Sequence, residues 1–412
     1  MSAQGTEVAG AAQASMSADA PATILACVAL ALASFAAFMG MPMVVGALIS
    51  QFGYSSAQGG LVASTEYLGM FSASSLAAFI LVRLGARRMA AYGLALALAA
   101  DLASPFLSAL PGLLTARFLA GLGCGCGYAV AVAVLTGSTH TSRNFMLLIF
   151  GQVLTNAAIV YLFPSLLERW QLASLFLSYA LILVIASLGI GKLPRHRALE
   201  PDAAVSEGLG TAPGVHPDGT RVPGHLPWLC LFAVFSFYLM IGAYWAYIEV
   251  MGMAVGLSAD FIGKALAVGI LLSLGACLIA YRMGSRLGQS RTLLLALAVV
   301  ALTQIAAGLF FGPVAYLLGL GIVNCFWNFT DIFQLSTLAK LDRSGVFPAR
   351  VQGAQMLALT VSPASAGWLL DRQLGYGNLL ILIGGCVAVA FATYAYVYRA
   401  LHRHAPQLAD AA

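Results

Sequence analysis

The sequence predicts an all-α, polytopic membrane protein with twelve transmembrane helices in two parallel six-helix pseudo-repeats. Three observations carry that prediction. The first is composition: of 412 residues, 61% are hydrophobic and 8% charged, with a mean hydropathy of +0.91. Soluble domains carry about a quarter charged residues, so this chain cannot cover its apolar surface in a water-facing fold. The second is length. Apolar runs of 18 or more residues recur throughout, and about 20 helical residues cross a hydrocarbon core about 30 Å thick. The runs lack the period-2 alternation of a membrane barrel, and a lipid-spanning backbone has no other way to satisfy its polar groups than the helix. The third is an internal repeat. A shift of 203 residues superimposes Gly53, Ser55, Gly60, Leu68, Ala73, Ala77, Arg83, Leu84, Gly85 and Arg88 on Gly256, Ser258, Gly263, Leu271, Ala276, Ala280, Arg286, Leu287, Gly288 and Arg291.

Residues 1–21 contain no Lys or Arg, so the basic start of a secretory signal is missing and a disordered N-terminal tail is expected. Spans follow at 22–50, 56–82, 88–109, 112–136, 145–167 and 171–191, which form an N-terminal bundle over 22–191. The widest gap, 192–227, is rich in proline, glycine and mixed charge and reads as a linker. A C-terminal bundle over 228–400 holds spans at 228–252, 258–283, 291–311, 313–338, 348–370 and 376–400, and 401–412 is a tail. Two parallel halves joined by a linker is an architecture of transporters.

Charge orients the bundle. Sixteen of the 20 Lys and Arg residues fall on one side, in clusters such as "RLGARR" (83–88) and "KLPRHR" (192–197); Arg169, Lys264 and Arg372 fall on the other. The positive-inside rule then places both termini and the linker in the cytosol, of a plasma or bacterial inner membrane. The net charge of +5 is therefore spread over loops rather than gathered for nucleic acid. The seven cysteines lie within spans and read as small apolar fillers, not disulfides.

Two stretches resemble motifs of the major facilitator superfamily, and the resemblance runs from about residue 22 to 400. "AFILVRLGARR" is similar to the family's signature loop after span 2. It keeps Arg83, Gly85, Arg87 and Arg88, while Ala78 and Val82 stand where the signature has glycine and aspartate. In the family that aspartate joins a charge relay that helps to hold the outward-open state; the resemblance makes the four retained residues gating candidates, and the acid of the relay is missing here. "RFLAGLGCG", from Arg117, resembles the family's span-4 motif, which the family links to proton coupling. The glycine- and proline-rich span-5 pattern of drug exporters is absent; the region reads "FGQVLTNAAIVYLFP".

Ionisable residues inside spans are expensive, about 2.5–3.5 kcal/mol each on insertion scales, and so are functional candidates. Glu66 lies in span 2, Asp101 in span 3 and Arg117 in span 4, and the tight turn around Pro111 puts Asp101 and Arg117 at comparable depths. They are expected to serve proton coupling or to form a static ion pair. In span 7, Tyr238, Gly242, Trp245 and Glu249 share a face at i, i+4, i+7, i+11; in span 10, Asn324, Trp327, Asn328 and Asp331 do so at i, i+3, i+4, i+7. The resemblance implies that spans 1, 4, 7 and 10 line a cavity. Gln152, Asn156 and Gln355 add amides whose bland alternative is interhelical hydrogen bonding. A small organic solute, aromatic or carboxylated, is the expected cargo.

No enzyme is expected. GxxxxGK[ST], HExxH and GxSxG are absent, and "CGC" at 124–126 has no further ligand beside it, so neither catalytic residues, cofactor nor metal site is anticipated. The expected partners are the solute, protons and the bilayer, with no nucleic acid, and the chain is expected to be a monomer. The expected function is a proton-coupled symporter working by alternating access. The alternatives are an exporter of drugs or metabolites and a non-transporting receptor-like protein.

Overall fold

The computed structural model describes residues 19–107, 109–194, 223–342 and 346–404. Most of the N-terminal tail, the linker from 195 to 222 and residues 405–412 lie outside the described residues, and with them Arg195, Arg197, Arg221 and Arg343.

Regular structure among the described residues is helical. In the first half α1 is Pro21–Phe52, α2 Ser56–Leu84, α3 Ala86–Ala103 and α4 Leu110–Thr136. A single run, Thr141–Ser187, breaks at Gln171 (φ 57°, ψ −165°), which divides it into α5 (141–170) and α6 (172–187). In the second half α7 is Leu226–Ala254, α8 Ala259–Leu287, α9 Gln289–Leu309, α10 Pro313–Leu341, α11 Val346–Asp371 and α12 Tyr376–His404. With α5 and α6 taken as one run, nine helical segments among the described residues are long and apolar enough to cross a membrane. The chain resolves into two compact units, 1–52 with 61–202 and 53–60 with 203–412.

The punctuation that separates the helices is local chemistry. At the start of α2, Ser55 N–H donates to Gln58 Oε1 (3.0 Å) and Gln58 N–H donates to Ser55 Oγ (3.2 Å). That is a reciprocal cap on two backbone donors that the first turn leaves open. Its repeat partner Ser258 caps α8 by accepting from Phe261 N–H (3.3 Å). Each "RLG" corner turns on its glycine: Gly85 has φ 76°, ψ 158° and Gly288 φ 80°, ψ 158°, a region that is essentially glycine's alone. Gly53 and Gly256 are likewise left-handed, at φ 68° and 85°. The 203-residue repeat is thus written in backbone angles as well as in residues.

Around α4 the first unit packs backbone against backbone. A Cβ on Gly121 would stand 2.0 Å from the Glu66 carbonyl oxygen, and one on Gly125 would stand 2.6 Å from Ala73 Cβ, so both admit α2. Gly123 admits α3, with the Gly93 oxygen 2.3 Å from its would-be Cβ, and Gly127 admits α1 through Ser34. Small residues allow such approaches in membranes, where dispersion between close surfaces drives packing. Cys124 is buried beside them in the core that α1, α3 and α4 share, and the described cysteines are free.

Candidate functional site

The first unit gathers its three ionisable candidates. Asp101 lies in the last turn of α3 and Arg117 in the second turn of α4, joined by the short 3₁₀ turn Ser104–Phe106 and the Pro111 start of α4. That hairpin brings Arg117 Nη2 to 2.6 Å from Asp101 Oδ1. The same Nη2 donates to Ser104 Oγ (2.7 Å), and the Ser104 hydroxyl donates in turn to the Ala100 carbonyl (2.7 Å). Phe176 of α6 covers the guanidinium, its ring centre 4.5 Å from Cζ, a cation–π contact that favours the charge in a dry site.

Glu66 reaches the arginine from α2, where Gly121 lets the two backbones touch. Its Oε2 stands 3.6 Å from Arg117 Nη1, beyond hydrogen-bond length. Neither Glu66 oxygen has a hydrogen-bond partner, nor do Arg117 Nε and Nη1. Arg117 is 0% exposed, and Glu66 and Asp101 1% each. The cluster therefore pairs one cation tightly with one carboxylate and loosely with a second. A shift of about 0.7 Å would give Glu66 a normal hydrogen bond to the unused Nη1. The hydroxyls of Tyr67 and Tyr179 are also buried without partners.

In the second unit α7 and α10 meet through aromatic rings and an acid. Tyr238 Oη donates to Asp331 Oδ2 (2.5 Å), and Trp327 Nε1 donates to Tyr238 Oη (3.3 Å). Trp245 and Trp327 stand edge to face at 5.9 Å and 66°. Four candidates from two helices thus form one cluster.

Other candidates go elsewhere. Gly242, on the same stripe, packs on α11, where Ser362 Oγ lies 2.2 Å from its would-be Cβ. Glu249 is buried with Oε2 unpartnered, one residue past Ile248, whose carbonyl accepts from Tyr316 (2.9 Å). Asn324 bonds its own helix at Leu320 O (2.9 Å), the bland outcome for an amide, and Asn328 is half-buried. Gln152 reaches Tyr128 Oη at 3.5 Å, Asn156 is buried with Oδ1 unpartnered, and Gln355 is half-buried. In the loop after α2, Arg83 lies over Phe79 at 3.9 Å and Arg88 is exposed, while Arg87 Nη2 approaches Gly191 in the short turn Ile190–Lys192.

Sequence reasoning missed Ser104, Phe176 and the buried amides Gln304 and Gln334. Ser104 follows Asp101 by three residues, a spacing that puts both on one helical face. The two glutamines interrupt apolar runs, and both side chains are buried. Phe176 carries no signal in a helix already rich in apolar residues.

Comparison with known proteins assigns the fold. The family model of the Major Facilitator Superfamily matches residues 26–361. Among solved structures, a D-xylose–proton symporter is 11% identical, with 92% of this chain and 96% of that one covered at a TM-score of 0.71. The POT family transporter PepTSo is 12% identical, with 92% and 98% covered at 0.73. The nucleoside transporter NupG is 12% identical, with 91% and 99% covered at 0.68. No curated protein matches the sequence significantly. The chain belongs to the Major Facilitator Superfamily and is an integral membrane transporter.

Proposed function

We propose that the protein is a proton-coupled symporter that takes up a small organic solute by alternating access. Glu66 gains and releases the proton, and the Arg117–Asp101 pair is its fixed counter-charge. The buried three-charge cluster carries this reading. With both carboxylates ionised it holds a net −1 where exposure is 0–1%, and a proton on Glu66 brings it to zero. Asp101 is committed to the guanidinium at 2.6 Å, whereas Glu66 has no hydrogen bond to lose. Moving a neutral cluster between environments is far cheaper than moving a charged one.

The solute is held by the α7 and α10 residues Tyr238, Trp245, Trp327 and Asp331. The chain works as a monomer, with both termini in the cytosol of a plasma or bacterial inner membrane; the one-sided distribution of Lys and Arg supports this orientation. The retained basic loop, Arg83 to Arg88, then lies on the cytosolic face and contributes to gating.

The test is proton entry into proteoliposomes loaded with a pH-sensitive dye, recorded as a panel of organic amines, acids, sugars and nucleosides is added outside. A transported solute carries protons with it in the wild type. Glu66→Gln abolishes proton entry but retains solute exchange under equal concentrations. A variant that still moves protons with its solute refutes the role given to Glu66, and wild-type uptake insensitive to a protonophore refutes coupling.

A further inference from the structure

The α7–α10 cluster is a one-way chain of hydrogen bonds that ends on an acid. Trp327 Nε1–H donates to Tyr238 Oη, and Tyr238 Oη–H donates to Asp331 Oδ2. Both steps run towards the carboxylate, which fixes Asp331 as the acceptor of last resort. An ionised carboxylate has about four acceptor sites, yet Oδ1 has no partner, and Asp331 forms no ion pair among the described residues. Asp331 as a residue is half-buried, as is Trp327, and its Oδ1 is itself buried. Beside them stand two indoles and a phenol, whose ring faces carry negative potential.

The acceptor oxygen and the ring faces all call for the same thing, a ligand that brings positive charge and N–H donors. Resting on the transporter reading above, we propose that this cluster binds an organic cation. Its ammonium group donates to Asp331 Oδ1 and its apolar body lies against Trp245 and Trp327. A carboxylated solute would instead meet a like charge at Asp331. The cargo class expected from sequence thus narrows to amines.

The test is binding, which needs no proton gradient and so stays separate from the coupling mechanism. The purified full chain in detergent is titrated with tryptamine, tryptophol and indole-3-propionate, and with phenylethylamine, phenylethanol and phenylpropionate. Thermal unfolding and tryptophan fluorescence are the readouts. In each series the amine binds tightest. Asp331→Asn weakens the amines by about tenfold or more, as expected for loss of a charge-assisted hydrogen bond. Asp331→Glu keeps the preference. Should Asp331→Asn fail to fold, the wild-type ranking is still decisive. Acids or alcohols that bind as well as the amines, amine affinity unchanged in Asp331→Asn, or no amine binding up to millimolar concentration would each overturn the assignment.

Discussion

Gly121→Ala tests whether the close approach of α2 and α4 is what holds Glu66 at Arg117. The added Cβ would stand 2.0 Å from the Glu66 carbonyl oxygen and 2.9 Å from its carbon. Both atoms are backbone, so no rotamer relieves the overlap. Ordinary contact begins at about 3.4 Å, so the helices must part by about 1.4 Å, and overpacking of this kind costs about 1–3 kcal/mol. Since Glu66 rides on α2, the same displacement carries its carboxylate from 3.6 Å towards about 5 Å from the guanidinium. At an effective dielectric near 20, that weakens the attraction by about 1 kcal/mol. Reversible unfolding in mixed micelles measures the first effect, and proton entry into proteoliposomes the second. The control is Gly275→Ala, in a helix interior where a Cβ meets nothing within 4 Å; there alanine is neutral or stabilises by up to about 1 kcal/mol. If Gly121→Ala matches that control in stability and keeps full coupling, the steric argument and the role built on it are both wrong.

Three other outcomes are expected. Arg117→Met leaves Asp101 buried without its counter-charge and costs about 3–5 kcal/mol, and adding Asp101→Asn recovers at least half of the loss in a double-mutant cycle. Gly85→Ala and Gly288→Ala each force a side chain into the same glycine-only corner, at φ 76° and 80°. Each destabilises by about 1–3 kcal/mol, read from the unfolding midpoint at constant slope. Tyr238→Phe removes the donor to Asp331 Oδ2, at a cost of about 1.5–3 kcal/mol for a hydrogen bond to a charged group, and the loss is smaller when Asp331 is already Asn.

The sequence made the helices and their corners legible because glycine and arginine punctuate them. "RLG" at 83–85 and at 286–288 marks the same turn twice, and both copies adopt it. The Asp101–Arg117 contact was legible too, since a hairpin of 16 residues leaves little freedom in depth. Glu66 lies 51 residues from Arg117 in sequence, and its approach depends on which face of α4 meets α2. The glycines of α4 set that face: Gly121 and Gly125 admit α2, Gly123 admits α3 and Gly127 admits α1. The α7 stripe shows the other limit. Tyr238, Gly242, Trp245 and Glu249 do share a face, but a stripe of three turns meets more than one neighbour along its length. Tyr238 and Trp245 meet α10, while Gly242 meets α11.

The repeat sharpens what separates the two bundles. Under the 203-residue shift Glu66, Asp101, Ser104 and Arg117 fall on Gly269, Gln304, Ala307 and Leu320, so the second bundle keeps the scaffold of the ion cluster and none of its charge. Gln304, a fully buried amide, stands where Asp101 binds its arginine. The converse also holds. Tyr238 and Asp331 fall on Phe35 and Tyr128, which stack at 5.6 Å in the first bundle. The same pair of backbone positions is a contact in both halves, apolar in one and a tyrosine–carboxylate hydrogen bond in the other. On the function proposed above, the shared frame with unshared polar groups divides the work, with proton handling in the first bundle and solute recognition in the second. Mutations at Glu66 should therefore change coupling without changing which solute binds, and mutations at Asp331 should do the reverse. A single substitution that moved both together would show that the two chemistries are not divided along the repeat.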